Sequence, residues 1–545
     1  MKRRVLLLTC LALAACPRRV PGPTEVLDDA AARAQAGGAS ARELALAGFH
    51  ALAVQGDVEL ARTRFDQSLA LDPAEPWALH GQGWVAWWHG HPERALQAAA
   101  ALCLKAPRHP LAAVAARTLF ESAGQSRQGD DQILEVSAQA LAAGARGDVA
   151  WLLRAARAAI FANRQSPERA QAVAELGSPT EALLVGPLSP WHVLDALERL
   201  PPEEKGQLDG VPGARTLRFA DAHLSLTGES GSGDGYLFGS DVTVAQEGDY
   251  LLRSVSQLDH AVVLDGAPVL QRSTWKLPAS SQAVRGVHLT AGVHRLVVRA
   301  FKGGLQGHVW VSLQPADGQA PRLTFAAAKG PPPARWGPAP TPADDEPSTV
   351  PGSYPTAQSL AEALEPEGGA ALAALVAAAD ARGRDRDGVK TLLDALPPSV
   401  AAPAVLVARA EVALEDRALP ARVSRGRATR DLEQALEKDP HSVPALLAQA
   451  TLAFEDARYA DAMELAARAR AAHTPAGAPV ALLEARVAQA LNLDGRAEQA
   501  VAATLTAHAG DCEALALQAD VARRHDALEL ERHRQEALAG CPGAQ

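Results

Sequence analysis

The chain has 545 residues, of which 48% are hydrophobic, and its formal net charge is −10. This composition predicts a folded protein of several domains and excludes a chain that is disordered throughout. Because no extended basic run accompanies the negative charge, the sequence does not predict binding to nucleic acid.

Residues 1–15 read as an export signal that is removed from the mature protein. Lys2, Arg3 and Arg4 precede an apolar run that is too short to span a bilayer. The run ends in "LAAC", in which Cys16 follows two alanines. This segment resembles the lipobox of bacterial lipoproteins, which implies cleavage before Cys16 and acylation of its thiol. The alternative is an ordinary signal peptide in which the cysteine stands by chance.

The lipoprotein resemblance implies a protein of the cell envelope that lipid anchors in a membrane. Two or more acyl chains hold a protein stably, whereas a single chain does so only marginally. Pro17 follows the cysteine, and no aspartate stands there to indicate retention at the inner membrane. We therefore expect the outer membrane, on its periplasmic or surface face, with residues 16–40 as a tether.

Residues 41–178 contain a repeating pattern that predicts paired helices. Three pairs of residues are each separated by 34 positions: Gly56 and Gly90, Ala61 and Ala95, and Pro73 and Pro107. Glycine suits the turn between two helices, alanine suits their crossing, and proline ends the second helix. The interval resembles that of the tetratricopeptide repeat (TPR), which implies a helical solenoid. After about residue 111 the helical pattern continues without a clean third unit.

The segment "PWALHGQGWVAWW", residues 76–88, holds the candidate binding residues. Its spacing places several large side chains on one helix face, while Gly83 and Ala86 lie on another that should pack against the next helix. In TPR proteins the corresponding positions line a groove that binds peptides. The resemblance therefore implies a partner groove formed by Trp77, His80, Trp84, Trp87 and Trp88.

Two features limit this groove prediction. Gln82 stands where the TPR family usually has leucine. The same tryptophans could instead be covered by the irregular helices after residue 111 or by the strands, because a large exposed apolar patch is rare without a partner. His89 and His91, at the turn, are expected to be in solvent.

Residues 179–328 change to short alternating segments that predict antiparallel strands. "HAVVLDGAPVL" reads as two strands around Asp265–Gly266, and "VHLTAGVHRLVVRA" as two more around Thr290–Gly292. Eight or so strands without intervening helices predict a β-sandwich that is jelly-roll-like. The pattern resembles PA14-type and carbohydrate-binding sandwiches, which implies envelope carbohydrate as an alternative ligand. The aromatic candidates for that role are Tyr236, Tyr250, Trp275 and Trp310.

Helical character returns after a proline-rich stretch, residues 329–357, which is a linker or a surface strap. In residues 358–545, Ala428, Ala462 and Ala500 recur at intervals of 34 and 38 and predict about three TPR-like units with a terminal hairpin. Cys512 opens the first helix of that hairpin and Cys541 follows the second. Because a hairpin brings its ends together, we predict a Cys512–Cys541 disulfide; two free thiols are the alternative.

The sequence thus predicts a multidomain α and β protein, with two TPR-like α-solenoids flanking an antiparallel β-sandwich. No nucleophile motif or phosphate loop occurs, and no metal-ligand spacing is diagnostic. Cys103 is expected to be a small buried hydrophobe. We therefore predict a protein without enzymatic activity, cofactor or metal, which serves as a scaffold for a protein or peptide in its TPR grooves. The alternative is a carbohydrate-binding envelope protein that uses the sandwich.

Overall fold

A computed structural model describes residues 24–89, 91–188, 206–219, 223–226, 235–256, 258–272, 281–301, 307–333, 352–381, 384–397, 400, 402–415, 419–472, 478–507 and 511–524. These residues form 18 α-helices and 11 β-strands, and the strands make two antiparallel sheets. The protein is therefore of mixed α and β class.

Nine of the described helices precede the first strand. They are α1 (Glu25–Ala36), α2 (Ala41–His50), α3 (Val58–Leu71), α4 (Pro76–Trp88), α5 (Pro92–Lys105), α6 (Pro110–Ser122), α7 (Arg127–Ala142), α8 (Gly147–Asn163) and α9 (Arg169–Leu176). A π-helical turn, Ala51–Gln55, follows α2. Helix α1 lies within the predicted tether, and its Leu27 and Ala30 are buried. This stretch is alanine-rich, so it favours helix, and it docks on the core.

Local sequence explains where these helices begin and end. Ser40 and Glu43 form a capping box at the start of α2, and Asp57 accepts a hydrogen bond from the backbone of α3. Gly56, between α2 and α3, has a φ of 75°, which a glycine adopts without steric strain. Prolines occupy the first turns of α4, α5 and α6, where no intrahelical donor is lost.

Nine further described helices follow the strands. They are α10 (Ala357–Ala381), α11 (Arg386–Asp394), α12 (Pro403–Glu415), α13 (Ala421–Lys438), α14 (Val443–Glu455), α15 (Tyr459–Ala472), α16 (Ala478–Ala490), α17 (Asp494–Ala507) and α18 (Cys512–Arg524). Helix α10 is kinked, because Pro366 lies inside it and Gly369 leaves the helical conformation with a φ of 76°.

One hydrophobic core joins the helices from both ends of the chain. It extends from Leu27 in α1 to Leu176 in α9 and includes residues of α10, α11 and α12 as far as Val412. The helices that flank the strands in sequence are thus packed together in space. Beyond α12 the core divides into smaller clusters between successive hairpins, which pack mainly on their neighbours.

The last described helix returns to the N-terminal helices. The backbone N–H of Cys512 donates to the carbonyl of Gln125 at 2.9 Å, and Asp511 forms a β-bridge with Ser126. These contacts join the start of α18 to the turn between α6 and α7. The helical array therefore curves back on itself.

The strands of the two sheets lie between the helical segments in sequence. They are β1 (Glu181–Val185), β2 (Arg215–Arg218), β3 (His223–Ser225), β4 (Gly235–Val244), β5 (Gly248–Ser256), β6 (Asp259–Leu264), β7 (Ala267–Arg272), β8 (Ser281–Leu289), β9 (Gly292–Phe301), β10 (His308–Pro315) and β11 (Leu323–Ala327). The larger sheet has the order β2-β1-β4-β9-β6-β7, with β11 also paired to β4, and the smaller has the order β3-β10-β5-β8. The two sheets share one core.

The strands of the two segments that the sequence singled out are all present, but they pair differently. Asp265 and Gly266 both have positive φ and connect β6 to β7, so the predicted hairpin is confirmed. The strands around Thr290–Gly292 do not pair with each other, because β8 pairs with β5 while β9 pairs with β4 and β6. Both predicted strands are therefore present, and the connection between them crosses from one sheet to the other.

The side chains of β10 alternate between two faces, and one of these faces packs the smaller sheet against the helices. Val309, Val311 and Leu313 enter the core between the sheets, whereas the residues between them face the other way. On that side Trp310 Nε1 donates to Ser178 Oγ at 3.2 Å. Trp310 also belongs to the helical core. The helices and the two-sheet unit are therefore in direct contact.

A buried ion pair lies at this junction. Asp148 of α8 pairs with Arg253 of β5, and both side chains are almost fully buried. Asp148 also accepts hydrogen bonds from Ser353 Oγ at 3.1 Å and from Tyr354 N at 2.7 Å. Burial raises the pKa of Asp148, but the Arg253 guanidinium and the hydrogen bond from Tyr354 outweigh it, leaving the pKa below its ordinary value. One carboxylate thus joins the helices, the sheet and the end of the proline-rich segment.

Candidate functional site

Helix α4 carries all five residues that the sequence assigns to a partner groove. Pro76 occupies its first turn, and Glu75 caps it by accepting from Trp77 N at 3.3 Å. The helix is apolar on most sides, because α2, α3, α5 and α6 all pack against it. A Cβ built on Gly83 would lie 3.6 Å from Ala98 Cβ, so the predicted packing of this glycine on α5 is confirmed.

Trp77 lies in the core rather than in an open groove. Its side chain is 0% exposed, and its Nε1 donates to Glu367 Oε2 at 3.4 Å. A Cβ at Gly368 would come within 2.6 Å of the indole, so only glycine fits beside it. His109 Nε2 lies 3.0 Å from the same Glu367 oxygen. Trp77 therefore anchors the kink of α10 on the N-terminal helices.

Trp88 is also buried, so it does not line an open groove. Trp88 is 4% exposed, whereas its neighbour Trp87 is 41% exposed, with the two rings 6.2 Å apart. Phe49 stacks on His80 and meets Trp84 edge-on, with ring centroids 6.1 and 6.3 Å away. The five residues thus divide into a buried pair, Trp77 and Trp88, and three that border a cavity.

The cavity lies between the N-terminal and C-terminal helices. It has a volume of about 280 Å³, and its walls come from α4, α5 and α6 on one side and from α10, α11 and α12 on the other. Its aromatic and polar lining residues are His80, Trp84, Trp87, Arg117, Thr118, Glu121, Asp380 and Glu411. Because Trp87 is partly exposed, we place the mouth of the cavity beside it.

Charged side chains at the cavity wall are paired with one another. Arg117 Nε donates to both oxygens of Asp380, at 3.1 and 3.3 Å. Arg384 Nη2 donates to Asp380 Oδ2 at 2.6 Å. Burial lowers the pKa of Arg384, and the Coulombic attraction of Asp380 and Glu121 opposes that effect. Asp380 is therefore a buried carboxylate held between two guanidinium groups.

His80 is a neutral polar group of this wall. Burial lowers its pKa to about 4, although the nearby Asp380 carboxylate acts in the opposite direction. The ring is therefore uncharged at neutral pH. Its Nε2 atom is buried and has no hydrogen-bond partner among the residues that the structure describes. Such an atom is unfavourable unless another molecule provides the partner.

The sequence did not indicate the half of the cavity that α10, α11 and α12 provide. Arg117 and Asp380 are separated by 263 positions, and each occurs in an alanine-rich helix with no motif around it. A single arginine or aspartate in a helix usually indicates a solvated face. No local signal could have paired these two residues.

The remaining predicted positions have simple outcomes. Cys103 is a buried free thiol, as expected, and burial raises its pKa well above the ordinary value. His91 was expected in solvent but is buried, with Nδ1 3.1 Å from Glu93 Oε1. Cys512 begins α18. Cys16 and Cys541 lie outside the described residues, so lipidation and the disulfide stay predictions.

Three of the four aromatic candidates for carbohydrate binding face the protein interior. Tyr236, Tyr250 and Trp310 are all buried, and Trp275 lies outside the described residues. Asp241 of β4 is bound by Arg295, with Oδ1 2.7 Å from Nε. In the described part of the chain, no group of three or more His, Cys, Asp or Glu side chains is placed to hold a metal ion. Among the described helices, none combines the length and apolar character needed to cross a bilayer.

Comparison with known proteins adds little to this description. No protein-family model and no curated protein matches the chain. The chain is weakly similar to two crystal structures of a beta-glucosidase from Kluyveromyces marxianus, one of which is in complex with glucose. Each has 12% sequence identity and a TM-score of 0.17, and the match covers 19% of this chain and 14% of the glucosidase chain. A similarity of this size transfers neither fold nor activity.

Proposed function

We propose that this chain is a non-enzymatic, lipid-anchored protein of the cell envelope that acts as a scaffold for a protein or peptide partner. Support for the anchor comes from the sequence, in which a basic start, an apolar run and "LAAC" precede Cys16. We place the protein in the outer membrane because Pro17, and not an aspartate, follows Cys16. The partner would bind the helical part of the molecule, at the mouth of the cavity beside α4.

The finer architecture that we propose consists of TPR-like solenoid segments on either side of a jelly-roll-like β-sandwich. Support comes from the helical hairpins α12–α13, α14–α15 and α16–α17, which stack in chain order. Ala428, Ala462 and Ala500 are buried in the second helices of these hairpins. Support for the sandwich comes from the single core that the two antiparallel sheets share.

The observation that carries the binding proposal is the position of Trp87. Its indole is 41% exposed, although tryptophan is usually covered, and it borders a cavity that continues into the protein. Tryptophan is also enriched among the residues that dominate binding energy at protein interfaces. An apolar side chain of the partner could pack on Trp87 and close the mouth of the cavity.

The carbohydrate alternative has less support. Sugar-binding sandwiches need aromatic rings that face solvent, and the described candidates Tyr236, Tyr250 and Trp310 are buried. Trp310 in particular packs on Trp151 and Phe120 of the helices, with ring centroids 5.5 and 6.0 Å away. These rings therefore stabilise the junction between helices and sheet.

A pull-down from native envelopes with the mature chain tests this proposal. Trp87→Ala should lower the recovery of the captured partner by at least tenfold, because loss of a hot-spot tryptophan weakens binding by about 2 kcal/mol or more. The matched control is Leu71→Ala, which removes an exposed apolar side chain of α3 that is 62% exposed and does not line the cavity. Equal recovery with wild type and Trp87→Ala would refute the proposed binding site.

A further inference from the structure

The interior of the cavity behind Trp87 has the size of a small-molecule site. Its volume of about 280 Å³ is nearly twice that of the engineered cavity of about 150 Å³ that binds benzene in another protein. Small side chains create this space, since eight alanines of α5, α6, α10 and α12 line it. A molecule of about two fused rings therefore matches the available volume.

The aromatic part of the wall favours a flat, apolar occupant. Trp84 and His80 lie side by side, with ring centroids 6.1 Å apart, and both line the cavity. Their orientation is fixed from behind by Phe49, which contacts both rings. A second aromatic system in the cavity could stack on these rings or meet them edge-on.

The charges at the wall favour a neutral occupant. Asp380 already binds Arg117 and Arg384, so its hydrogen-bonding capacity is largely used within the protein. Glu121 and Glu411 also line the cavity, and each has a polar or electrostatic partner in the protein. A charged ligand would have to compete with these contacts in a largely apolar space.

Among the described residues that line the cavity, His80 provides the one neutral side-chain atom that still needs a partner. This atom is Nε2, which is buried and receives no hydrogen bond from, and donates none to, any described residue. Because the ring is neutral, Nε2 either donates or accepts according to the tautomer. A hydroxyl group can do both, so it satisfies Nε2 in either case.

We infer that this cavity is a binding site for a neutral molecule of about two fused aromatic rings that carries a hydroxyl group, with the hydroxyl bound to Nε2 of His80. The rings would occupy the space between Trp84 and the alanines of α5 and α12. This site lies deeper than the mouth at which we propose a protein partner. It does not depend on that partner, because it is complete within one chain.

Calorimetric titration of the purified full chain tests this inference with 1-naphthol as the probe and naphthalene as its matched control. We expect saturable 1:1 binding of 1-naphthol, about tenfold tighter than that of naphthalene, because one hydrogen bond to a buried orphan atom has that effect. His80→Phe should bind both probes with equal affinity. Failure of 1-naphthol to bind wild type, or an unchanged tenfold preference in His80→Phe, would overturn the inference.

A second variant keeps the test decisive if His80→Phe fails to fold. Ala408 lines the cavity from α12, so Ala408→Leu fills part of the space without removing a polar group. We expect this variant to bind 1-naphthol at least tenfold more weakly while its thermal stability is kept or raised. Unchanged 1-naphthol binding in folded Ala408→Leu would place the probe elsewhere and overturn the inference. The assay contains no partner, so its result is separate from that of the pull-down.

Discussion

The indole Nε1 of Trp151 in α8 donates a hydrogen bond of 2.9 Å to Oγ of Ser312 in β10. The guanidinium of Arg253 lies 4.5 Å from the centroid of the same indole and pairs with Asp148 one turn earlier in α8. Aromatic, polar and charged contacts thus meet at one place on the outer face of the smaller sheet. This junction fixes the two-sheet unit on the helical array.

Asp148→Asn should strongly destabilise the protein. The change leaves the Arg253 guanidinium buried without a counter-charge, which costs about 3–5 kcal/mol. Denaturant unfolding measures the loss. Asp131→Asn, which alters an exposed carboxylate on α7, is the matched control and should change stability by less than about 1 kcal/mol. The double variant Asp148→Asn/Arg253→Met should recover part of the lost stability, since it removes the buried charge. Equal losses of stability in Asp148→Asn and Asp131→Asn would contradict this account of the junction.

Two glycines of α4 should respond in opposite ways to the same substitution. A Cβ at Gly81 would overlap the ring of Phe65, which is fully buried, whereas a Cβ at Gly83 would make only ordinary contact with Ala98. We expect Gly81→Ala to lower the free energy of unfolding by about 1–3 kcal/mol. Gly83→Ala should raise it by up to about 1 kcal/mol, because alanine favours helix. Thermal unfolding of both variants checks this, and a stabilised Gly81→Ala would show that Phe65 has room to move.

His260 should make the fold sensitive to acid. It is buried between the sheets, where Nδ1 donates to Leu258 O and Nε2 accepts from Ser254 Oγ, both at 2.9 Å. Burial lowers its pKa to about 4, with the hydrogen bond to Leu258 opposing the shift and the charge of Arg272 adding to it. The folded state therefore holds the neutral ring. The stabilisation is complete above the ordinary His pKa of about 6.5 and is lost as the pH falls towards 4.

Comparison of wild type with His260→Gln isolates this effect. Glutamine can replace the hydrogen bonds of His260 but does not titrate. The pKa of His80 is lowered in the same direction, but His80 is present in both proteins, so its contribution cancels in the comparison. Between pH 6.5 and pH 4 the wild type should lose roughly 2–3 kcal/mol more unfolding free energy than the variant. Parallel stability curves over this range would show that His260 does not contribute.

Cys16→Ser should prevent membrane anchoring. The proposed acylation needs the Cys16 thiol, which serine lacks, so the variant should remain soluble or accumulate as an unprocessed precursor. Incorporation of labelled palmitate in the producing cell measures this. Label should enter the wild type and not the variant. Absence of label from the wild type, or its presence in Cys16→Ser, would exclude the lipoprotein proposal.

A disulfide between Cys512 and Cys541 should hold the C-terminal end of the helical array. It would close a loop of about 30 residues, for which the chain-entropy model gives roughly 3–4 kcal/mol. The backbone N–H of Cys512 also donates to Gln125 O. The disulfide would therefore stabilise the contact of α18 with the N-terminal helices as well. Non-reducing peptide mapping of protein purified under oxidising conditions should show the linked pair. Separate peptides whose two cysteines both react with an alkylating reagent would rule the disulfide out.

Sequence alone was sufficient for features that depend on neighbouring residues. The 34-residue interval predicted the turn at Gly56 and the packing face of Gly83, and the Asp265–Gly266 pair predicted a hairpin. Each of these features follows from local backbone preference or from the helix period. Val309, Trp310 and Val311 alternate in the sequence as a strand with two different faces requires, and they lie in β10. Periodicity determines that two faces exist.

Tertiary structure decided what each face contacts. Trp310 meets helices rather than solvent, and the strands around Thr290–Gly292 enter different sheets. Trp77 is covered by Gly368, which lies almost 300 positions later in the chain. The wall of the cavity contains the ion pair of Arg117 and Asp380, which are also distant in sequence. These contacts are set by the burial of apolar surface among distant segments, and hydrophobic attraction is not specific to one partner. A local pattern therefore shows which side chains must be covered, and only the packed chain shows what covers them.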